Sequence, residues 1–497
     1  MFRDLREFLE SLEERGLLKR VNVELSPVLE IPEVLRRVAG CMGPALLFER
    51  VKGYPGWRVA VNLFGTLERI KLALGVERLE EVGERLVGLV TRPPPTSLAE
   101  KLRGLKDIAS LSSYMPKVVR RAEFEYEVWE GEKVDVLRLP VFKCWPRDGG
   151  RYLTFAPTYL PDPVKRVMNI GLYRLMVKGP RLLVVHWQMH KRGQQAQWVA
   201  LEKGVEELPA AVVIGGPPAA ILVGAMPVPY PMDKLLFAGV LGGRNIEVYK
   251  LPNGVLVPST AEVVIEGYVD PNSLFEEGPF GDHYGYYDKP TRLFPGFYIE
   301  RIWVRKDPIY VGTCVGKPLM EDAGIGKAVE RIFLPLLKLM LPEIVDINLP
   351  AHGLFHGIAI VSIRKRYPGH AKKVMMALWG LSQMSLTKII IVVDHDINVH
   401  DMGQVMWAIA AHVDPQRDMV IIPNTHADEL DPSTPIPGYG SKLGVDATRK
   451  LSEEYGGKEW PEEVEQDPSI VEKIDRIWNL LGLKASCSTG CRGGVVS

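Results

Sequence analysis

The chain has 497 residues, 46% of them hydrophobic and 25% charged, with 61 basic and 61 acidic side chains that cancel. That length exceeds one compact core and points to two to four α/β-type domains. The zero balance argues against a duplex nucleic-acid binder, which carries a basic excess to neutralise phosphates, and no apolar run reaches the ~18 residues of a membrane span. The charged opening MFRDLREFLESLEERG has no apolar signal core, so a cytoplasmic protein is expected. Scarce Asn and Gln beside plentiful ionic residues hint at a thermophilic source.

Phe2, Leu5, Phe8, Leu9 and Leu12 recur at helical spacing up to Gly16, and Ile31–Val38 repeats the pattern before Gly40. Strand-like runs begin at Ala45 and Trp57, and helices at Leu67 and Leu79, which completes a small N-terminal α/β unit. Pro93, Pro94 and Pro95 then read as a linker. From about Ala122 to Gly316, short β-rich runs alternate with Gly/Pro punctuation, a spacing that predicts a barrel. Met168–Val177 and Arg181–His190 read as a hairpin about Lys178-Gly179-Pro180, and Asn253-Gly254 as a two-residue hairpin turn. From about Ile325, helices near Lys327–Leu341, His370–Ser382 and Met402–Val413 alternate with apolar strands at Gly357–Ile363, Ile389 and Met419. Such strands predict a sheet covered on both faces. A surface helix and tail follow from about Pro461.

The five cysteines (Cys41, Cys144, Cys314, Cys487 and Cys491) lack zinc-site spacing. Cys487 and Cys491 admit a tail disulfide, but a frayed terminus is the simpler reading.

Three segments could carry chemistry. In MNIGLYRLMVKGPRLLVVHWQMHKRG, strand parity would put His186, Gln188 and His190 on one face, fit to bind a metal or grip a phosphate; the alternative is a polar outer face. In EEGPFGDHYGYYD, Glu277 and Asp282 edge a rigid turn and could act as a proton-transfer pair; the alternative is a solvated acidic loop. In GYGSKLGVDAT, glycines allow close backbone approach and Lys442 could meet a phosphate, although the segment matches no dinucleotide or Walker pattern. AGIGKAVERIF reads more simply as a helix N-terminus. VVDHDINVHD ends a buried strand in acids and histidines, where open α/β sheets often bind ligands, or forms a polar capped loop.

Taken in order, WPRDGGRYLT, NIGLYR, HWQMHKRG, VPSTAEVVIEGYV, EEGPFGDHYGYY, PEIVDINLP, YPGHAKKVMMALW, VVDHDINVHD and YGSKLGVDAT resemble the UbiD family of decarboxylases from Met1 to about Thr448. The resemblance implies an α/β (α+β) chain: an N-terminal α/β region (1–115), a central split barrel like that of flavin reductases (116–318), a C-terminal α/β oligomerisation domain (319–460), and a helix and tail (461–497). It implies a homodimer or homohexamer. It also implies prenylated FMN supplied by a flavin prenyltransferase, with a divalent metal, commonly manganese, and often potassium.

By the same resemblance, Asn169 would ligate the metal at the cofactor phosphate, with His190 as its imidazole. Ile170, Gly171, Leu172, Tyr173 and Arg174 would line the cofactor, as would His186, Trp187, Gln188, Lys191 and Arg192. Lys442 would approach it from the C-terminal domain. Arg174, Glu277 and Asp282 would form the catalytic set. The resemblance fails at one position: the family's metal-binding glutamate ahead of FAG is Lys234 here, beside Asp233. Asp233 is taken as the substitute ligand; alternatively, Lys234 replaces the metal's charge or the member is altered. The implied activity is reversible, non-oxidative decarboxylation of an aromatic or α,β-unsaturated carboxylic acid, in quinone or isoprenoid precursor synthesis (a 4-hydroxybenzoate-type acid or anhydromevalonate phosphate). The alternatives are an FMN-dependent oxidoreductase or a non-catalytic flavin-binding subunit.

Overall fold

The computed structural model describes residues 2–91, 112–288 and 292–482. The Pro93–Pro95 linker and the Cys487/Cys491 tail lie outside the described residues. Two compact units are present: Met1–Leu336 with Ala351–Phe355 and His426–Gly440, and the remainder from Leu337 onward.

In the first unit, the opening helix spans Leu5–Glu14. Asp4 caps it by accepting the Glu7 amide, and Leu5, Phe8, Leu9 and Leu12 are buried as the helical period predicts. Strands Leu18–Val21, Ala45–Phe48 and Arg58–Val61 form a four-stranded sheet. Its fourth strand, Ile309–Val311, comes from some 250 residues later and pairs in parallel with Arg58–Val61. The N-terminal α/β unit is therefore completed by chain that follows the central region.

The central region is a curled sheet. Its strand order is Tyr152–Leu153, Leu175–Gly179, Leu182–Val185, Phe294–Val304, Val263–Phe275, Leu208–Ile214, Pro157–Pro161 and Met168–Leu172, with Glu127–Glu130 added on Phe294–Val304. The long strands Val263–Phe275 and Phe294–Val304 pair with register shifts between Glu266 and Gly267 and between Asp270 and Leu274. Such bulges increase local twist. The Asn253-Gly254 turn does join antiparallel strands, Glu247–Lys250 and Leu256–Pro258, but through Leu251–Val255 rather than two residues. Asn253 Nδ2 is drawn instead to the carbonyls of Ala210 and Gly267.

Cys144 and Cys314 form a disulfide across 170 residues, a pairing that sequence spacing did not suggest. Cys144 lies between strands Glu127–Glu130 and Tyr152–Leu153 of the curled sheet, and Cys314 follows the strand that completes the N-terminal sheet.

The second unit is built on the sheet order Ile344–Asn348, Ile358–Ile363, Ile389–Asp394, Tyr439–Ala447, Met419–His426. Ile358–Ile363, Ile389–Asp394 and Tyr439–Ala447 run parallel. Helix Met402–His412 buries Val405 and Ala408 with Ile360, Val393 and Ala447. On the opposite face Gly444 leaves room for Met375 and Trp379 of helix His370–Trp379. The sheet is covered on both sides, as its apolar strands require. Helix Glu321–Met340 begins six residues before the expected Lys327, and AGIGKAVERIF starts in its first turn, as the helix N-terminus reading expects. Among the described residues no helix is long and apolar enough to cross a membrane.

Candidate active site

Two departures from the expected hairpin shape the site. Met168–Val177 is not one strand. Met168–Leu172 pairs with Pro157–Pro161, whereas Leu175–Gly179 pairs with Leu182–Val185. The chain changes partners at Tyr173-Arg174, so Arg174 stands at a break rather than in a ladder. The second strand ends at Val185 instead of running to His190, and Arg192–Lys203 is a helix. The expected common face of His186, Gln188 and His190 is thereby overturned, because period-2 parity holds only within a strand. His186 turns to Glu277, Gln188 Nε2 donates to Asp428 (3.2 Å), and the His190 ring lies 5.8 Å from that of His426.

Arg174 meets Glu277 at two points, Nε to Oε1 at 3.0 Å and Nη2 to Oε2 at 2.7 Å. Nη2 also donates to Asp288, and the guanidinium lies over the Phe280 ring. His186 Nδ1 is 2.8 Å from Glu277 Oε2, with its ring stacked on Phe294. Glu277 is 1% exposed, so the solvated-loop alternative fails. Burial alone would raise its pKa, but Arg174 and His186 outweigh that and bring it down to about 2. Burial and the neighbouring guanidinium push His186 down, which favours the neutral ring. Arg174 Nη1 and His186 Nε2 are buried and have no hydrogen-bond partner among the described residues.

Asp282 caps the tight turn between Phe280–Gly281 and Tyr287–Asp288: its amide donates to the Tyr286 carbonyl and its carboxylate accepts the Tyr284 amide. It is 2% exposed. Burial raises its pKa to about 7; the Tyr284 amide opposes this and the Asp288 charge adds to it. Glu277 and Asp282 thus differ in their environments: the first is held as a carboxylate, and the second is raised to titrate near neutrality. Asp282 also lines a cavity of about 520 Å³ with Trp145, Tyr287, Arg36, Lys317 and His352.

A second cluster surrounds strand Met168–Leu172. Asn169 Nδ2 donates to the Tyr173 hydroxyl (3.3 Å), which also accepts the Gly193 amide (3.2 Å). A Cβ on Gly171 would come within 2.3 Å of the Tyr173 ring, and one on Gly193 within 2.4 Å of the Trp187 indole nitrogen. Only glycine permits these approaches. Asn169 Oδ1 and Trp187 Nε1 are buried with no hydrogen-bond partner among the described residues. Asp233 caps helix Lys234–Gly242. Its Oδ1 accepts the Leu235 and Leu236 amides, and its Oδ2 accepts the Met168 amide. Lys234 Nζ donates to the Ile170 carbonyl (2.7 Å). Lys442 belongs to the second unit, on strand Tyr439–Ala447, with Nζ 2.5 Å from the Ser385 carbonyl.

Sequence reasoning missed Asp288, Phe280 and Phe294. In VVDHDINVHD, Asp394 and Asp396 bind Arg449, which favours the polar-loop reading of that segment.

Models for the N-terminal, Rift-related and C-terminal domains of 3-octaprenyl-4-hydroxybenzoate carboxy-lyase match residues 9–86, 117–318 and 323–447. A protein of Aeropyrum pernix is 59% identical over 97% of this chain and 99% of its own. One of Archaeoglobus fulgidus is 47% identical over 96% and 98%. Among solved structures, the closed form of vanillic acid decarboxylase from Sedimentibacter hydroxybenzoicus aligns at a TM-score of 0.83 with 30% identity, covering 97% of this chain and 100% of that one. The UbiD-class enzyme HmfF from Pelotomaculum thermopropionicum, in complex with FMN, aligns at 0.78 with 30% identity, over 94% and 98%. An evolved dimeric form of HmfF, in complex with prFMN, aligns at 0.76 with 28% identity, over 98% and 99%. A curled sheet carrying a buried Arg-acid-acid set is therefore that of a carboxy-lyase. The chain belongs to the UbiD family of decarboxylases.

Proposed function

We propose that the chain uses prenylated FMN for the reversible, non-oxidative decarboxylation of an aromatic or α,β-unsaturated acid. The observation that carries this reading is the buried Arg174–Glu277 pair together with the buried Asp282 carboxyl, whose pKa burial raises to about 7. Three buried polar atoms support the cofactor: Asn169 Oδ1, His186 Nε2 and Trp187 Nε1, each lacking a partner among the described residues. Leaving such atoms unmet costs about 1–3 kcal/mol each, so a polar ligand that meets them fits.

Prenylated FMN, when bound, supplies the electron sink that amino-acid side chains lack. Arg174 spends Nε and Nη2 on Glu277 and Asp288, which leaves Nη1 to hold the substrate carboxylate. Glu277 stays ionised and fixes the guanidinium plane. Asp282 delivers the proton that replaces the carboxyl group, and in the carboxylating direction it takes that proton back. The cavity beside Asp282 carries Arg36, Lys317 and His352. These basic groups suit an acid with a second anionic group, which favours anhydromevalonate phosphate over an uncharged 4-hydroxybenzoate-type tail.

The test is co-expression with a flavin prenyltransferase, mass spectrometry of the released cofactor, and an assay for carbon dioxide release from both acid types. Prenylated FMN with turnover is expected. Plain FMN or no flavin, without turnover, would sink the reading.

A further inference from the structure

Asp288 closes the hairpin that carries Asp282, where it pairs with Phe280 across the short strands Phe280–Gly281 and Tyr287–Asp288. Its two oxygens serve two different elements. Oδ1 accepts the Phe280 amide at 3.0 Å, and Oδ2 accepts from Arg174 Nη2. The Arg174 guanidinium lies over the Phe280 ring, 4.5 Å from its centroid. Arg174 stands at the break between two strands, so its side chain takes its place from Glu277 and from this Asp288–Phe280 pair. An asparagine could not do the same. Only one of its terminal atoms is an acceptor, and its amide would face either the Phe280 N–H or the guanidinium, donor against donor.

We infer that Asp288 is a positioning residue that acts through Arg174, holding the guanidinium against the hairpin that carries Asp282 so that Nη1 faces the reacting carboxylate. The inference rests on the decarboxylation proposed above. It ties the group that grips the acid to the group that exchanges the proton, which come from distant parts of the chain.

The same carboxylate acts on Asp282 through space. Burial does most to raise the Asp282 pKa; Asp288 on its own hairpin and Asp428 on segment His426–Gly440 add to this, while Arg174 opposes it. Arg36, Lys317, His352, Tyr286 and Tyr287 line the cavity beside it. Removing the Asp288 charge takes away one repulsion and leaves Arg174 less neutralised. Both changes favour the ionised form of Asp282, so its proton is lost at lower pH.

Wild type, Asp288→Asn and Asp288→Glu are each co-expressed with a flavin prenyltransferase and purified as flavin-loaded full-length chains. Carbon dioxide release from anhydromevalonate phosphate and from 4-hydroxybenzoate is then followed across pH. Asp288→Asn should keep its flavin and lose about 10- to 100-fold in kcat. Its activity should also fall at a lower pH than that of the wild type, whose limb lies at about 7. Asp288→Glu keeps the charge on a longer stem, so its limb should stay at the wild-type pH and its kcat should fall less. Wild-type kcat and limb in Asp288→Asn, or a limb in Asp288→Glu displaced as far as that of Asp288→Asn, overturns this inference alone. Loss of flavin from Asp288→Asn overturns it too, because it assigns Asp288 to the fold rather than to Arg174. A wild type inactive toward both acids overturns the decarboxylation reading with it.

Discussion

Glu277 and Arg174 come from segments 103 residues apart and meet in a two-point contact of 3.0 and 2.7 Å, with the Glu277 carboxylate wholly buried. The contact exists because the chain changes sheet partners at Tyr173-Arg174 and because a tight hairpin follows Glu277. Burial makes the pair costly to break from one side, since the survivor is left as an uncompensated charge.

Glu277→Gln keeps the shape but removes the charge that orients the guanidinium. Turnover should fall about 10²- to 10⁴-fold while bound flavin is retained. Steady-state rates with cofactor content from the absorption spectrum check this; undiminished turnover would remove Glu277 from the catalytic set.

The Cys144–Cys314 bridge closes a loop across 170 residues and ties the segment between strands Glu127–Glu130 and Tyr152–Leu153 to the chain leaving the N-terminal sheet. Loop-closure entropy predicts a contribution of about 2–5 kcal/mol. The Cys144→Ala/Cys314→Ala double variant should melt several degrees lower than the wild type, which should itself drop on reduction. Calorimetry with and without reductant is the measurement, and equal melting temperatures would show that the bridge adds nothing to stability.

Much of this fold was legible in the sequence because period and punctuation agree locally. Leu5, Phe8, Leu9 and Leu12 mark a helix, and the IIIVV run marks a buried parallel strand. Helix Arg192–Lys203 was not legible, because its inward face carries Gln194 and Gln197, which bond each other and the Pro271 carbonyl rather than water. Buried amides break the apolar period that sequence reading relies on. The partner change at Arg174 was hidden because GLYRLMV reads as continuous strand. Asp288 was missed because one acid at the end of a turn looks like any other until Arg174 is found beside it. The motif residues of the candidate site were readable only as a set, by resemblance; the distances that relate them come from long-range packing.

Gly171 tests how tightly strand Met168–Leu172 is built. A Cβ there would lie 2.3 Å from the Tyr173 ring, whose hydroxyl holds both Asn169 and the Gly193 amide. Gly171→Ala should cost about 1–3 kcal/mol by overpacking and weaken flavin binding by displacing Asn169. Chemical denaturation and an FMN titration would read the two effects. Unchanged values in both would mean that Tyr173 moves without consequence.

The pH dependence follows from Asp282. Burial lifts its pKa from the ordinary value of 3.8 to about 7, so the proton is present below neutrality and lost above it. A group that must donate a proton is competent only while protonated. The decarboxylation rate should therefore be level below about pH 7 and fall tenfold per unit above it. Glu277, held near 2, should impose no limb in that range. Asp282→Asn cannot supply the proton and should abolish turnover while keeping the flavin, whereas Asp282→Glu should retain activity with a displaced limb. A profile in kcat/KM that rises through pH 7, or an active Asp282→Asn variant, would assign the proton to another group; Tyr287, which lines the same cavity, is the next candidate.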